Sequence, residues 1–415
     1  MSHRLIWCLG TLLVLLALRP AWGETIDLSG TPERVRRSNP DLKAARLAIE
    51  EARGRLLGSG RLANPTLNVE FQGESGLSPG STGIGFDQAF PLTKRLQLEK
   101  RLSAQMVEAA ELEVRDVERR LISEAQGFVV RLLALEQQRS LRERQAALAK
   151  ELADFAKERS AKGELSPLDA AQALVDAQQA LLGGRTLETE RVTVTGALKQ
   201  LLGVSAETPL TVSGNLPDLE VPVGTNFDRR PDLQGARLKE EAAKTGVDLA
   251  RTRKWDDLDA GLFAAREREG RPDGERDHSG YVGVRFSLPL PFWNQNEGEV
   301  AEKTAGVERA ALETEALASA IANEAATARD EMQAHLSLAG EMRETLLPAV
   351  REQADRLKTA YERGETDLLS VLRSREQQLR LEAASLDAER DFHLARIRYE
   401  AALGVHVPAA SPSGK

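Results

Sequence analysis

Cysteine is almost missing from this chain of 415 residues: Cys8 is the only one, and it lies in an apolar N-terminal run. Past that run there is no disulfide, thiol nucleophile or cysteine metal ligand. Aromatic residues make up only 4%, against 29% charged, which argues against large aromatic-rich globular cores and for extended helices packed side by side. A basic surplus is absent too: the net charge is −8 and the pI about 5.5, so nucleic acid is excluded as an expected partner. The five histidines (His3, His278, His335, His393 and His406) include no pair at ligand spacing and no H-E-x-x-H pattern, and His335 falls where a helix seam would pack it. No G-x-S-x-G elbow and no phosphate loop is present. The reading is a protein with no catalytic residues, no cofactor and no metal site. Beyond the N-terminus no run of eighteen apolar residues occurs, so any membrane insertion must use strands.

What is there begins with a leader. Arg4 supplies a positive start, Leu5 to Leu18 is apolar but short for a bilayer span, and Ala21-Trp22-Gly23 offers small residues for a signal peptidase. Residues 1–23 are therefore expected to be a signal peptide, and the chain to be exported.

The remainder is written twice. Asn39-Pro40-Asp41-Leu42 returns as Arg230-Pro231-Asp232-Leu233, and Phe90-Pro91-Leu92 as Leu288-Pro289-Leu290. Lys162-Gly163-Glu164 returns as Arg363-Gly364-Glu365, and Leu202-Gly203-Val204 as Leu403-Gly404-Val405. Four anchors in one order indicate a duplicated unit. The expected repeats are 24–222 and 223–407, followed by a flexible tail at 408–415. Each opens with a helix (Pro32 to Arg61, Pro231 to Arg253), continues with two strands (about 64–92 and 256–291), and closes with a helical hairpin whose tip is near 163 or 364.

The long helices carry a near-heptad seam. Ala110, Val114, Val117, Leu121, Ala125, Phe128, Leu132 and Leu135 step by three or four residues, as do Leu317, Ile321, Ala325, Ala328, Met332 and His335. A helix from Lys94 to Ala161 would run about 100 Å at 1.5 Å per residue. Pro348 is expected to kink its helix. The strands alternate instead: Leu67, Val69 and Phe71 oppose Asn68, Glu70 and Gln72, and Val282, Val284, Phe286 and Leu288 oppose Gly283, Arg285 and Ser287. Their lengths suit tilted membrane strands.

Four strands leave edges that lipid cannot satisfy. Two copies would close a plugged eight-stranded barrel, whereas three give twelve strands and an open lumen. Polar faces carrying Asp87, Asp259 and Arg285 suit a wet channel. The expected fold is thus mainly α with a membrane β-barrel, a homotrimeric 12-strand β-barrel atop a 12-helix α-barrel.

The two-unit layout, the Y-x-x-G-x-x-x-x-x-x-V-L pattern of Tyr361 to Leu372 and the helix-ending Leu-Gly-Val resemble the TolC family of outer-membrane efflux proteins. Leu288 to Glu299 (LPLPFWNQNEGE) is similar to the strand-to-helix junction of its CzcC-like branch, which serves heavy-metal cation pumps. The resemblance implies an outer-membrane channel of a Gram-negative bacterium, its helical part in the periplasm. It would act as a passive duct in a tripartite system with a periplasmic adaptor and an inner-membrane proton-driven pump of RND type. The tips Gly163, Glu164, Leu165, Gly364, Glu365 and Thr366 would dock the adaptor, or be turn residues only.

Many members of that family close the periplasmic mouth with an aspartate ring, but the matching positions here are Ser370 and Arg373, so the ring does not transfer. In the first repeat they are Asp169 and Gln172; Asp169 is either a carboxylate ring in a trimer or a solvated helix-face residue. Metal cations are the expected cargo, with drugs or other small organic molecules as the alternative. A soluble periplasmic coiled-coil scaffold would explain the helices but not the strands.

Overall fold

The computed structural model describes residues 23–74, 78–222, 224, 226–270 and 276–404. The expected leader up to Trp22, the loop at 271–275, Val405, His406 and the tail 408–415 lie outside the described residues. In chain order the elements begin with β1 (Glu24–Ile26), α1 (Thr31–Ser38), α2 (Pro40–Gly58), β2 (Thr66–Glu74), β3 (Ser78–Phe90), α3 (Arg95–Ala161) and α4 (Pro167–Leu202). They continue with β4 (Leu210–Val212), α5 (Pro231–Thr252), β5 (Leu258–Gly270), β6 (Arg276–Ser287), α6 (Glu297–Glu341), a π-helical turn (Met342–Leu346), α7 (Leu347–Glu362) and α8 (Leu368–Leu403).

These elements form two compact units that cut across the sequence repeats: Met1–Lys43, Val117–Phe227 and Ile321–Lys415 make a helical unit, and Ala44–Asp116 with Asp228–Ala320 make a strand unit. In the helical unit, Ile122, Ala125, Val129, Leu132 and Leu133 of α3 bury against Val194, Leu198, Leu201 and Leu202 of α4. Further along, Leu141 of α3 meets Leu379 and Ala383 of α8. On its other side α8 packs Phe392, Ala395 and Tyr399 against Ala325, Ala328 and Met332 of α6. Polar pairs follow the same order: Gln138 to Asp387 at 2.6 Å joins α3 to α8, and Arg351 to Glu382 at 3.4 Å joins α7 to α8. The layer therefore runs α4–α3–α8–α6/α7, with α4 and α7 at its open sides. Alanine at so many seam positions lets backbones approach closely, and the few large side chains carry most of the burial. Phe392, fully buried, contributes about 2–3 kcal/mol.

Two details correct the expected helices. The segment from Pro32 is not one helix but α1 and α2, broken at Asn39, because Pro40 drives the residue before it out of the α region. Asn39 is fully buried; its Oδ1 accepts the Leu42 N–H at 2.8 Å and its Nδ2 donates to the Leu201 carbonyl at 2.8 Å. The expected kink at Pro348 takes the form of the π-turn preceding it, where the Leu347 N–H reaches the Met342 carbonyl five residues back. A proline cannot donate to Glu344, and the wider turn accommodates its ring. Of the histidines with described burial, His335 is half-buried and His393 is enclosed, at 3% exposure. A parallel pair, β1 with β4, was not expected from the sequence at all.

The strand unit holds a four-stranded antiparallel sheet in the order β2-β3-β5-β6. The two hairpins are joined by β3 and β5, which pair from Ser81–Glu267 to Phe90–Leu258. Register places Val69, Ile84, Ala264 and Val282 on one line across the sheet, and Leu67, Phe86, Leu262 and Val284 on another. Both lines lie on the same face, and the large side chains among them are exposed.

Candidate functional site

The two helical hairpins turn in the same way. Gly163 has φ +78° and Gly364 φ +75°. Their N–H groups bond to Ser160 and Tyr361 three residues back, and the next residues, Glu164 and Glu365, bond five residues back to Arg159 and Ala360. This double bond pattern closes a helix through a left-handed residue, which glycine adopts without steric cost. Each following helix has its own cap. Ser166 Oγ accepts the Leu168 N–H at 3.2 Å, ahead of Pro167. Asp367 accepts the Ser370 N–H at 2.7 Å, a bond that lowers its carboxyl below the ordinary range.

Of the six expected docking residues, Gly163, Glu164, Gly364 and Glu365 are exposed, while Leu165 and Thr366 are half-buried. Glu164 pairs with Arg159, whose guanidinium also covers the Phe155 ring at 5.2 Å. That carboxylate raises the Arg159 pKa. Leu165 of one hairpin and Leu369 of the other line the same groove, so the two tips are neighbours.

Beside the tips, α3, α4 and α8 enclose a groove of about 570 Å³. Three of the four aperture candidates, Asp169, Gln172 and Arg373, line it together with Asp176, Glu376 and Arg380. Gln172 donates to Asp176 at 2.9 Å. Ser370 lies one turn nearer the tip, half-buried, its N–H held by Asp367. The groove carries carboxylates and guanidinium groups side by side, a mixed lining that sequence spacing could not reveal.

On the sheet, Asp87, Asp259 and Arg285 share one face, opposite the apolar lines. Asp87 accepts from Asn68 of β2. Arg285 sits over the Phe263 ring at 5.3 Å, and Phe263 meets Tyr281 edge to face at 6.1 Å. Glycines 83, 85, 261 and 283 alternate with these large groups on that face, leaving room for side chains to lie across the strands.

Among the described residues no cluster of three or more histidine, cysteine or acidic side chains could hold a metal ion. Among them, too, no helix is long and apolar enough to cross a membrane. His393 is a buried polar group that sequence spacing missed. It bonds to the Pro217 carbonyl, its Nε2 meets no partner among the described residues, and burial drives its pKa down to about 4.

Comparison with known proteins agrees with this architecture. Residues 226–405 match the family model described as outer membrane efflux protein. The cobalt-zinc-cadmium resistance protein CzcC of Cupriavidus metallidurans is 24% identical over 383 residues, covering 90% of this chain and 85% of that protein. Crystal structures of CusC superpose with a TM-score of 0.73 at 17% identity, over 91% of this chain and 92% of that one. The CmeC outer membrane channel of Campylobacter jejuni gives a TM-score of 0.73 at 17% identity, over 92% and 87%. The resemblance to the TolC family of outer-membrane efflux proteins is borne out, and with it the fold class and an outer-membrane location with the helical portion in the periplasm.

Proposed function

With residues 226–405 matched to the outer membrane efflux proteins and the described chain folded like their channels, we propose that it is the exit duct of a tripartite efflux system. Three copies close the duct, and divalent metal cations pass through it. The observation that carries this reading is the sheet. One face is lined by exposed Val69, Phe71, Leu262, Val282, Val284 and Phe286, and strands β2 and β6 each have a bare edge among the described residues. Bare edges in hydrocarbon cost several kcal/mol per unsatisfied group, so copies must pair β6 to β2 until the ring closes.

The helical layer supports the same closure. On α4, Leu168, Val175 and Leu182 recur every seven residues at 77%, 46% and 56% exposure. At the other open side, Leu346, Ala349, Gln353, Leu357 and Ala360 step by three or four residues along the π-turn and α7, each exposed or half-buried. Two such stripes, one from each of two neighbouring copies, fit coiled-coil packing.

Cation cargo is supported by the face away from lipid, where Glu70, Asp87, Asp259 and Glu267 outnumber Arg285, and by the metal-resistance relative. No step of chemistry is assigned to the duct; the driving free energy would come from an inner-membrane proton-driven pump of RND type, reached through a periplasmic adaptor at the tips. The mature chain extracted in detergent should have the mass of a trimer by native mass spectrometry, and Leu182→Glu should shift it toward monomer. A mature chain that stays monomeric and soluble without detergent overturns the reading. For the tips, Glu365→Lys or Gly364→Trp in an intact trimer should abolish metal efflux by cells that supply pump and adaptor; full efflux removes the docking assignment.

A further inference from the structure

The junction between β6 and α6 carries an unusual exposure. Trp293 is 95% exposed and Phe292 71%, their rings edge to face at 6.2 Å. In a chain with four tryptophans, two of them (Trp7 and Trp22) lie in the expected leader, so one of the remaining two stands almost wholly uncovered. The turn that holds it is firmly built. Asn296, at φ +63°, receives its shape from a bond between its N–H and Asn294 Oδ1 at 2.9 Å. Its Nδ2 donates to the Ala250 carbonyl at the end of α5 at 2.8 Å and to Glu299 at 2.7 Å. Arg253 binds Glu299 at 2.7 Å, and Lys254 binds Gln295 at 3.0 Å. Three of these five contacts, to Ala250, Arg253 and Lys254, tie the turn to the end of α5, and the other two shape the turn itself, while the aromatic pair stays exposed.

The other remaining tryptophan, Trp255, follows Lys254 directly and is 41% exposed. Both tryptophans therefore stand at one end of the strand unit, linked through the Lys254–Gln295 bond. The apolar face of the sheet runs into this place: Phe286 at 69% and Phe90 at 43% lead to Leu290 and Leu92, each 52% exposed. Indole has an apolar body and a polar N–H, and its preferred place is the boundary between headgroups and acyl chains.

We propose that Phe292 and Trp293 form a lipid-interface anchor, seated at the headgroup–acyl boundary of the periplasmic leaflet and fixing the depth at which the strands sit in the membrane. The anchor rests on the outer-membrane channel reading. Its occupant is phospholipid, because the pair follows directly on the lipid-patterned face of the sheet and stays exposed while the polar groups of its turn are already bonded.

The test uses the mature full chain in phospholipid vesicles. In a Trp255→Phe chain, Trp293 is the only fluorophore of its kind. Its emission should shift to the blue and lose its larger share to lipids brominated near the carbonyl end of the acyl chain, and less to lipids brominated near the methyl end. A second chain, Val284→Trp in a Trp255→Phe and Trp293→Phe background, reports the lipid face of the sheet and should be quenched by the deeper bromines. If the Val284→Trp reporter is quenched and Trp293 is not, the anchor is overturned while the channel reading stands. That includes a blue-shifted Trp293 covered by a second copy or another protein. If neither is quenched, both fall.

Discussion

Phe263 of β5 and Gly283 of β6 stand directly opposite each other, and a Cβ on Gly283 would come within 2.7 Å of the Phe263 ring. The ring lies over the glycine, and Arg285 in turn lies over the ring. Gly283→Val must expel the ring and deprive Arg285 of its platform, at a cost of about 1–3 kcal/mol. The temperature at which the assembled protein falls apart on a gel should drop. Gly280→Val, on the same strand but with open space around it, should leave that temperature within the range of ordinary surface substitutions.

Asn39 ties two helix ends together, capping α2 and satisfying the Leu201 carbonyl near the end of α4. Asn39→Ala should cost about 2–4 kcal/mol, the lost cap adding to a buried carbonyl left without a donor. Asn39→Asp keeps the acceptor for Leu42 but sets a buried carboxylate oxygen against the Leu201 carbonyl, and at neutral pH should cost at least as much as alanine. Thermal melts followed by far-ultraviolet circular dichroism rank the three.

At the tips the penalty has a different origin. Nothing lies within 4 Å of a Cβ built on Gly163 or Gly364, so Gly163→Ala and Gly364→Ala are opposed only by positive φ, about 1–2 kcal/mol each. Gly364→Asn should recover much of this, since asparagine visits that region more readily. Hydrogen exchange at the last turns of α3 and α7 should rise in the alanine variants and less in the asparagine one.

His393 sets a pH dependence. Burial holds its pKa at about 4, with Arg396 adding repulsion, whereas an unfolded chain would titrate near 6.5. The unfolded state therefore takes up a proton first as pH falls. Its contribution is full above pH 6.5 and is lost between 6.5 and 4, roughly 3 kcal/mol across that window. His393→Gln should flatten the slope of stability against pH there. An unchanged slope, measured by denaturant melts at several pH values, would show that the imidazole does not govern it.

Local signals in the sequence went far. Alternation over Thr66–Gln72 and Tyr281–Leu288 was enough to identify strands and their faces, because a period of two is written in adjacent residues. Gly163 and Gly364 marked the turns for the same reason. The break at Asn39 was written there as well, in the dipeptide Asn39-Pro40, but reading the periodic pattern through it merged two helices. What could not be read locally depends on distant pairing. Three-residue strands such as β1 and β4 carry too little pattern to distinguish them from loop. The groove that gathers Asp169, Gln172 and Arg373 arises only when α3, α4 and α8 are side by side. His393 looked like any polar helix residue until Phe392 and the Pro217 segment closed over it.

The bonds from β3 to β5 cross from the first copy of the duplicated sequence into the second. Either copy by itself would own a lone hairpin, which is marginal in isolation, and an extra raw border on the strand that should have met its sister. Neither hairpin can therefore be removed or exchanged without reopening that middle seam, which makes the two halves of the sheet one unit of stability.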